Sequence, residues 1–168
     1  MESIKVANAF ILRHGSNITI TNLVLNKLVY FAQAEALRKT GEPLFDDGIE
    51  AWHYGPVEKN VYFTFRKYGR DRIPAPEGEA AEDERTLSIV DETARKYGFL
   101  TAFDLVEFSH REGSAWKNVY KENERIEITN DDILSSGDGL SFPENTLASS
   151  LDEVNRKWQN TFRMLRNA

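Results

Sequence analysis

The chain has 168 residues, 40% of them hydrophobic, and carries a formal charge of −6 without a single cysteine. This length suits one domain with its own core, so we expect residues 1–168 to form a single domain. Without cysteine there can be no disulfide framework, no thiolate metal site and no thiol nucleophile. The net acidity disfavours a general attraction to the phosphate backbone of nucleic acids.

Neither the first residues nor the apolar runs carry a membrane or export signal. Residues 1–13 contain Glu2 and Lys5 and lack a long apolar stretch, so they do not resemble a secretory leader. The longest apolar run, residues 28–32, has five residues, whereas a membrane-spanning helix needs about 20. We therefore expect a cytoplasmic protein that does not enter a membrane.

Apolar spacing predicts a mainly α, compact helical domain. Thr21 is typical of the residue that precedes a helix and Gly41 of the residue that ends one, so they bound a long amphipathic helix over 22–39. The small β element is expected to have two or three strands, with candidates at 44–45, 49–53 and 126–128. Further helices are predicted over 4–13, 56–68, 86–97, 101–111, 116–121, a short stretch from Thr129 and 147–166.

Two segments are predicted to be irregular. Residues 70–84 include five acidic residues within eight positions, from Glu77 to Glu84, which is typical of a solvated surface loop. The run Ser136-Gly137-Asp138-Gly139 resembles a fragment of a phosphate or calcium loop but lacks the Gly-Lys-Ser/Thr ending and the spaced acids. We interpret that run as a flexible turn.

His110 is the residue most compatible with catalysis. It follows Glu107 by one helical turn, and a carboxylate can hold an imidazole in the tautomer that a general base requires. No serine nucleophile motif accompanies it, and the three histidines lack metal-ligand spacing, so we expect no metal and no cofactor. A small hydrolase or transferase using His110 with Glu107 or Asp104 therefore stays an alternative hypothesis.

The segment from Trp52 to Val57 combines aromatic side chains with a rigid Gly55-Pro56 corner. Trp52 and Tyr54 at a fixed corner would make good anchors for a partner protein. Packing of the same side chains into the core explains the pattern equally well, so both interpretations stay open.

The predicted C-terminal helix differs in charge from the rest of the chain. Arg156, Lys157, Arg163 and Arg166 give the last fifteen residues a charge of +4, which leaves −10 on the remainder. This helix could contact RNA, a membrane surface or an acidic protein with its basic face, while its apolar residues pack on the core. A nucleic-acid-binding regulator acting through this helix is the third hypothesis, although whole-chain acidity makes it unlike most such proteins.

The order of several short motifs resembles the Panacea domain family, which includes SocA-like antitoxins and phage-associated GepA-like proteins. The resemblance covers about residues 18–134. Two positions depart from the family pattern, because Val29 replaces a frequent leucine and residues 112–116 replace a commoner run ending in Pro-Trp. The matching residues are Leu25, Lys27, Leu28, Tyr30, Ala32 and Gln33, Gly41 with Pro43–Phe45, Glu50–Trp52, Tyr54–Val57, Val61-Tyr62, Tyr68-Gly69, Tyr97-Gly98, Leu105, Ser109-His110, Ala115–Lys117 and Ile128–Asn130.

The resemblance implies a mostly helical domain that neutralises a toxin by direct binding, with no established catalytic residues. In the SocA-like group it also implies an adaptor that delivers the toxin to a AAA+ protease. We therefore expect a non-enzymatic protein whose partner is a cognate toxin encoded beside it, with a homo-oligomer left open. Its candidate partner-binding residues are Trp52, Tyr54, Pro56, His110, Trp116, Arg156, Lys157 and Arg163.

Overall fold

The computed structural model describes residues 1–140. Within this range the chain forms seven α-helices and three short β-strands, which confirms the predicted mainly helical fold with a small β element. The elements are α1 (Ser3–His14), α2 (Asn22–Thr40), β1 (Ile49–Trp52), β2 (Gly55–Glu58), α3 (Lys59–Phe65, extended by a 3-10 turn, Arg66–Tyr68), α4 (Glu84–Tyr97), α5 (Ala102–Ser109), α6 (Ala115–Val119), β3 (Ile126–Ile128) and α7 (Asn130–Ser135).

Helix α2 is the centre of the fold. The Thr21 hydroxyl accepts a hydrogen bond from the Val24 amide at its start, and Gly41 ends it in the left-handed conformation, with φ of 73°. Both predicted ends are confirmed. Residues 24–37 are buried throughout, because α1, α3, α4, α5, α7 and β2 all pack around this helix. An amphipathic sequence thus becomes a helix covered on every side.

The sheet is antiparallel, with strand order β2-β1-β3. Its strands 49–52 and 126–128 were predicted, whereas the predicted strand at 44–45 is wrong. Leu44 and Phe45 lie in a loop instead, where both of their amides donate to the Gln33 side-chain oxygen. The side-chain oxygen of Gln33, a buried residue of α2, therefore accepts the hydrogen bonds that a neighbouring strand would otherwise accept.

The predicted start of the third helix at Pro56 is also wrong. Pro56 lies in β2 and pairs with Ala51 of β1, so the aromatic corner is a hairpin rather than a strand-to-helix turn. A proline is tolerated here because β2 is an edge strand, where the missing N–H removes no ladder hydrogen bond. Helix α3 begins three residues later, at Lys59.

Glu58 sets the start of α3. Its carboxylate accepts hydrogen bonds from the Asn60 amide at 3.0 Å and the Val61 amide at 2.7 Å, and the residue is buried. Replacing Glu58 by alanine is expected to lower the free energy of unfolding by about 1–2 kcal/mol, because these helix N–H groups lose their acceptor. Urea denaturation checks this, with Glu124→Ala, an exposed carboxylate outside any helix, as the control. Equal midpoints for the two variants would contradict the capping role.

The acidic loop over residues 70–84 is irregular up to Asp83, as predicted, but it is not simply solvated. Asn8 of α1 donates to the carbonyls of Glu77 and Glu79 and accepts from the Glu77 amide. Ile73 and Ala81 are buried in the core. The loop is therefore fixed against α1 by specific backbone hydrogen bonds.

The prediction of a flexible turn at 136–139 is wrong. Asp138 is fully buried, and its carboxylate accepts from the Tyr30 hydroxyl at 2.5 Å and the Ala115 amide at 2.9 Å. Arg38 adds hydrogen bonds to four backbone carbonyls between Ile133 and Asp138. These polar groups, far apart in the sequence, hold the segment against α2 and α6.

The predicted helix over 147–166 lies outside the described residues, as do Arg156, Lys157 and Arg163. Among residues 1–140, no helix combines the length and apolarity that a membrane crossing demands. The same range contains no group of three or more histidine, aspartate or glutamate side chains placed to share a metal ion.

Candidate partner-binding surface

The tip of the β1–β2 hairpin presents aromatic side chains to solvent. Gly55 makes the tight turn possible, because its φ of 104° is one that residues with a side chain rarely adopt. The Tyr54 side chain is 65% exposed and its ring contacts the His53 ring edge-on, with centroids 4.8 Å apart. The hairpin tip therefore combines a rigid backbone with an accessible tyrosine.

Trp116 supports this hairpin from below. Its indole N–H donates to the Trp52 carbonyl at 2.7 Å, and the side chain is only 6% exposed. The ring lies between those of His110 and Tyr120, at centroid distances of 3.6 Å and 4.4 Å with nearly parallel planes. Trp116 is thus a buried side chain that fixes the position of the tip from the interior.

Trp52 lies half-buried at the edge of the hairpin. Its indole N–H donates to Glu50 at 2.8 Å, and its ring meets the Tyr62 ring edge-on at 4.9 Å. The Arg125 guanidinium lies over the Trp52 ring, 4.5 Å from its centroid. A hydrogen bond and two ring contacts therefore hold this tryptophan in one orientation.

Lys27 of α2 is buried directly beneath the hairpin. Its ammonium group donates to the Pro56 carbonyl at 2.8 Å and has no carboxylate partner among the described residues. Burial lowers the pKa of Lys27 to about 7, because a low-dielectric interior disfavours the charged form. The packing is tight, since a Cβ atom on Gly55 would lie 2.9 Å from the Lys27 Nζ.

His110 does not form the predicted catalytic pair. Its Nε2 is buried without a hydrogen-bond partner in the described part of the chain, and its ring stacks on Trp116. Burial, followed by the nearby Lys27 charge, lowers the pKa of His110 to about 4, so the imidazole is neutral at physiological pH. Asp104 instead caps the start of α5 through Thr101. The alternative of a His110-centred hydrolase thus gains no support from the geometry.

The fold brings five predicted site residues together around one hairpin. Tyr54 and Trp52 lie at its surface, whereas Pro56 and Trp116 are buried and His110 stacks beneath them. Three cations that also belong to this region are absent from the predicted site residues: Lys27, which the sequence marks only as part of a family motif, and Arg66 and Arg125. Spacing does not connect Lys27 or Arg125 to the hairpin, because their contacts with Pro56 and Trp52 join distant parts of the chain.

Comparison with known proteins gives this region a family context. Residues 25–117 match the family model described as "Antitoxin SocA-like, Panacea domain", which covers more than half of the chain. The chain belongs to this family. The match contains the hairpin, Lys27 and Trp116, so the surface described above lies within the family domain.

A curated relative agrees with this assignment. The chain is 32% identical over 116 residues to Antitoxin SocA from Caulobacter vibrioides (strain NA1000 / CB15N). The matched region makes up 60% of this chain and 60% of the relative, so the chain spans well under the full length of that protein. No solved structure gives a significant match.

Proposed function

We propose that this protein is an antitoxin that neutralises a cognate toxin by binding it directly. Membership of the SocA-like Panacea family is the observation that supports an antitoxin role most strongly, and the 32% identical relative is itself an antitoxin. Neutralisation by binding requires no catalytic group, and the geometry around His110 does not supply one.

The exposed tip of the hairpin is the proposed contact surface. Tyr54 and His53 are held on a turn that Trp116 and Lys27 fix from below, so their ordering costs little entropy on binding. Rigid, exposed tyrosines are frequent anchors of protein interfaces. In this proposal the toxin is encoded beside the antitoxin in the cytoplasm, and delivery of the complex to a AAA+ protease is a second route to the same outcome.

Co-expression tests the proposal. The neighbouring open reading frame is expected to be toxic when induced alone and harmless when this protein is present. A neighbour that is harmless alone, or equally toxic with the protein, would overturn the antitoxin role. The two routes are separated by the half-life of the toxin, which shortens on co-expression only if the complex is delivered to a protease.

Tyr54→Ala tests the contact surface. The variant is expected to bind the neighbouring toxin about 10- to 100-fold more weakly, because truncation removes an exposed aromatic anchor. Its thermal midpoint should stay within about 1–2 °C of wild type, since the ring is 65% exposed and, among residues 1–140, contacts no aromatic ring but that of His53. Isothermal titration calorimetry and a thermal melt measure the two quantities.

Leu12→Ala is the matched control for Tyr54→Ala. Leu12 is 62% exposed on α1, in a different element from the hairpin, so its truncation removes similar apolar area elsewhere. Equal loss of affinity in both variants, or full affinity in Tyr54→Ala, would contradict a contact at the hairpin tip.

A further inference from the structure

A second surface continues from the hairpin along α3 and combines two half-buried aromatic rings and one exposed ring with cations. Trp52, Tyr62 and Phe63 contact one another edge-on, with centroids 4.9–6.4 Å apart. The Arg66 guanidinium lies 5.1 Å from the Phe63 centroid, and the Arg125 guanidinium lies 4.5 Å from the Trp52 centroid. We call these five residues the cation–aromatic patch.

Neither arginine of the patch forms an ion pair with a described residue, although the Arg125 charge contributes to lowering the pKa of the Glu50 carboxyl. Among residues 1–140, no carboxylate lies within 4.0 Å of the Arg66 or Arg125 guanidinium, although both side chains are exposed. The Glu50 carboxylate, which interacts electrostatically with Arg125, pairs directly with Lys59 at 2.8 Å and also accepts from the Trp52 indole. The patch thus carries two guanidinium groups whose hydrogen-bond donors are open to solvent.

The rings hold these guanidinium groups in place before any partner arrives. A guanidinium stacked over an aromatic face keeps its edge donors free for a carboxylate. Phe63, 47% exposed beside Arg66, offers apolar area next to the charge. An arrangement of fixed arginines around an accessible aromatic ring is typical of the centre of a protein interface.

We propose that the cation–aromatic patch binds an acidic segment of the cognate toxin, with carboxylates paired to Arg66 and Arg125 and an apolar side chain on Phe63. This inference rests on the proposed antitoxin function and identifies the chemistry of the partner. Planar guanidinium groups bind carboxylates through two parallel hydrogen bonds, which gives orientation as well as affinity.

The charge of the chain favours an acidic protein segment over a nucleic acid or a second copy of this chain as the partner of the cation–aromatic patch. A nucleic acid would bring many phosphates against a chain of net charge −6, whereas the patch offers two unpaired cations. A second copy of this chain would bring the same net negative charge toward itself. A short acidic segment places only a few carboxylates at the arginines, and complementary charge there speeds its encounter.

Charge reversal at the two arginines tests this inference. The double variant Arg66→Glu/Arg125→Glu is expected to bind the product of the neighbouring gene about 100-fold more weakly, and wild-type affinity should fall as salt is raised above ~0.15 M. The milder variant Arg66→Gln/Arg125→Gln keeps similar packing without charge and should lose about tenfold. Arg95→Glu, an exposed arginine on α4, is the control for a reversed charge elsewhere.

The outcomes separate this inference from the proposed function. If wild type neutralises the neighbouring toxin and both double variants bind it as Arg95→Glu does, the patch assignment is overturned while the antitoxin role stands. If the wild-type protein neither binds nor neutralises the product of the neighbouring gene, both the patch assignment and the antitoxin role are overturned. A change in oligomeric state or in nucleic-acid binding with unchanged toxin affinity would assign the patch to those partners instead.

Discussion

Replacing Asp138 by alanine is expected to lower the free energy of unfolding by about 3–5 kcal/mol, a large part of the stability of a domain of this size. Its fully buried carboxylate bonds the Tyr30 hydroxyl and the Ala115 amide, and its second oxygen lies 3.2 Å from an Arg111 nitrogen. Alanine would leave the Tyr30 hydroxyl and the Ala115 amide without their shared acceptor and would remove the ion pair with Arg111. The burial and the carboxylate also raise the pKa of Tyr30 well above its usual value.

Urea denaturation followed by circular dichroism measures this effect. Asp138→Asn retains an acceptor without the charge and should fall between wild type and alanine. Asp131→Ala is the matched control, because Asp131 is an exposed aspartate at the start of α7 and its loss should cost less than about 1 kcal/mol. An Asp138→Ala midpoint equal to that of Asp131→Ala would show that the contacts of the buried Asp138 carboxylate do not stabilise the domain.

The elements that the sequence predicts well are those whose signals are local. Thr21 and Gly41 bound α2 because a helix end is decided by hydrogen bonds within a few residues. Thr101 and Thr129 likewise form capping boxes with the acidic residues three positions later. Such contacts can be inferred from spacing alone.

The hairpin shows why other elements could not be predicted. Pro56 is favourable in the first turn of a helix, and no local sequence signal indicates that it pairs with Ala51 in a β-hairpin. Glu58, the residue that caps α3, was likewise not identified, because glutamate is an uncommon capping residue. Local preference and tertiary pairing disagreed here, and pairing determined the structure.

The candidate site depends almost entirely on distant contacts. Trp116 and Trp52 were chosen for their residue type, but their hydrogen bond joins positions 64 residues apart. Asp138 lies 108 residues from Tyr30, and its glycine-rich neighbours resemble those of any exposed turn. Burial of a charged side chain cannot be inferred from such a sequence, since charged residues are mostly exposed.

Lys27 leads to the second large effect, an unusual dependence of stability on pH. Its pKa is near 7 in the folded protein and 10.5 in an ordinary environment, so between these values the unfolded chain binds more protons. Proton binding therefore favours unfolding, and the free energy of unfolding should rise as pH increases from 7 to 9.5. Each pH unit in this window contributes at most about 1.4 kcal/mol, or about 3 kcal/mol in total.

Lys27→Met isolates this contribution, because methionine fills similar volume without a charge. Its free energy of unfolding should exceed that of wild type at pH 6 and vary little between pH 7 and 9.5, although it loses the hydrogen bond to the Pro56 carbonyl. His110 does not interfere, since its pKa of about 4 keeps it neutral throughout the window. Lys121→Met, at an exposed lysine, should keep the wild-type rise. Parallel pH profiles for wild type and Lys27→Met would mean that the Lys27 ammonium group is solvated. That result would contradict the burial of Lys27 beneath the hairpin.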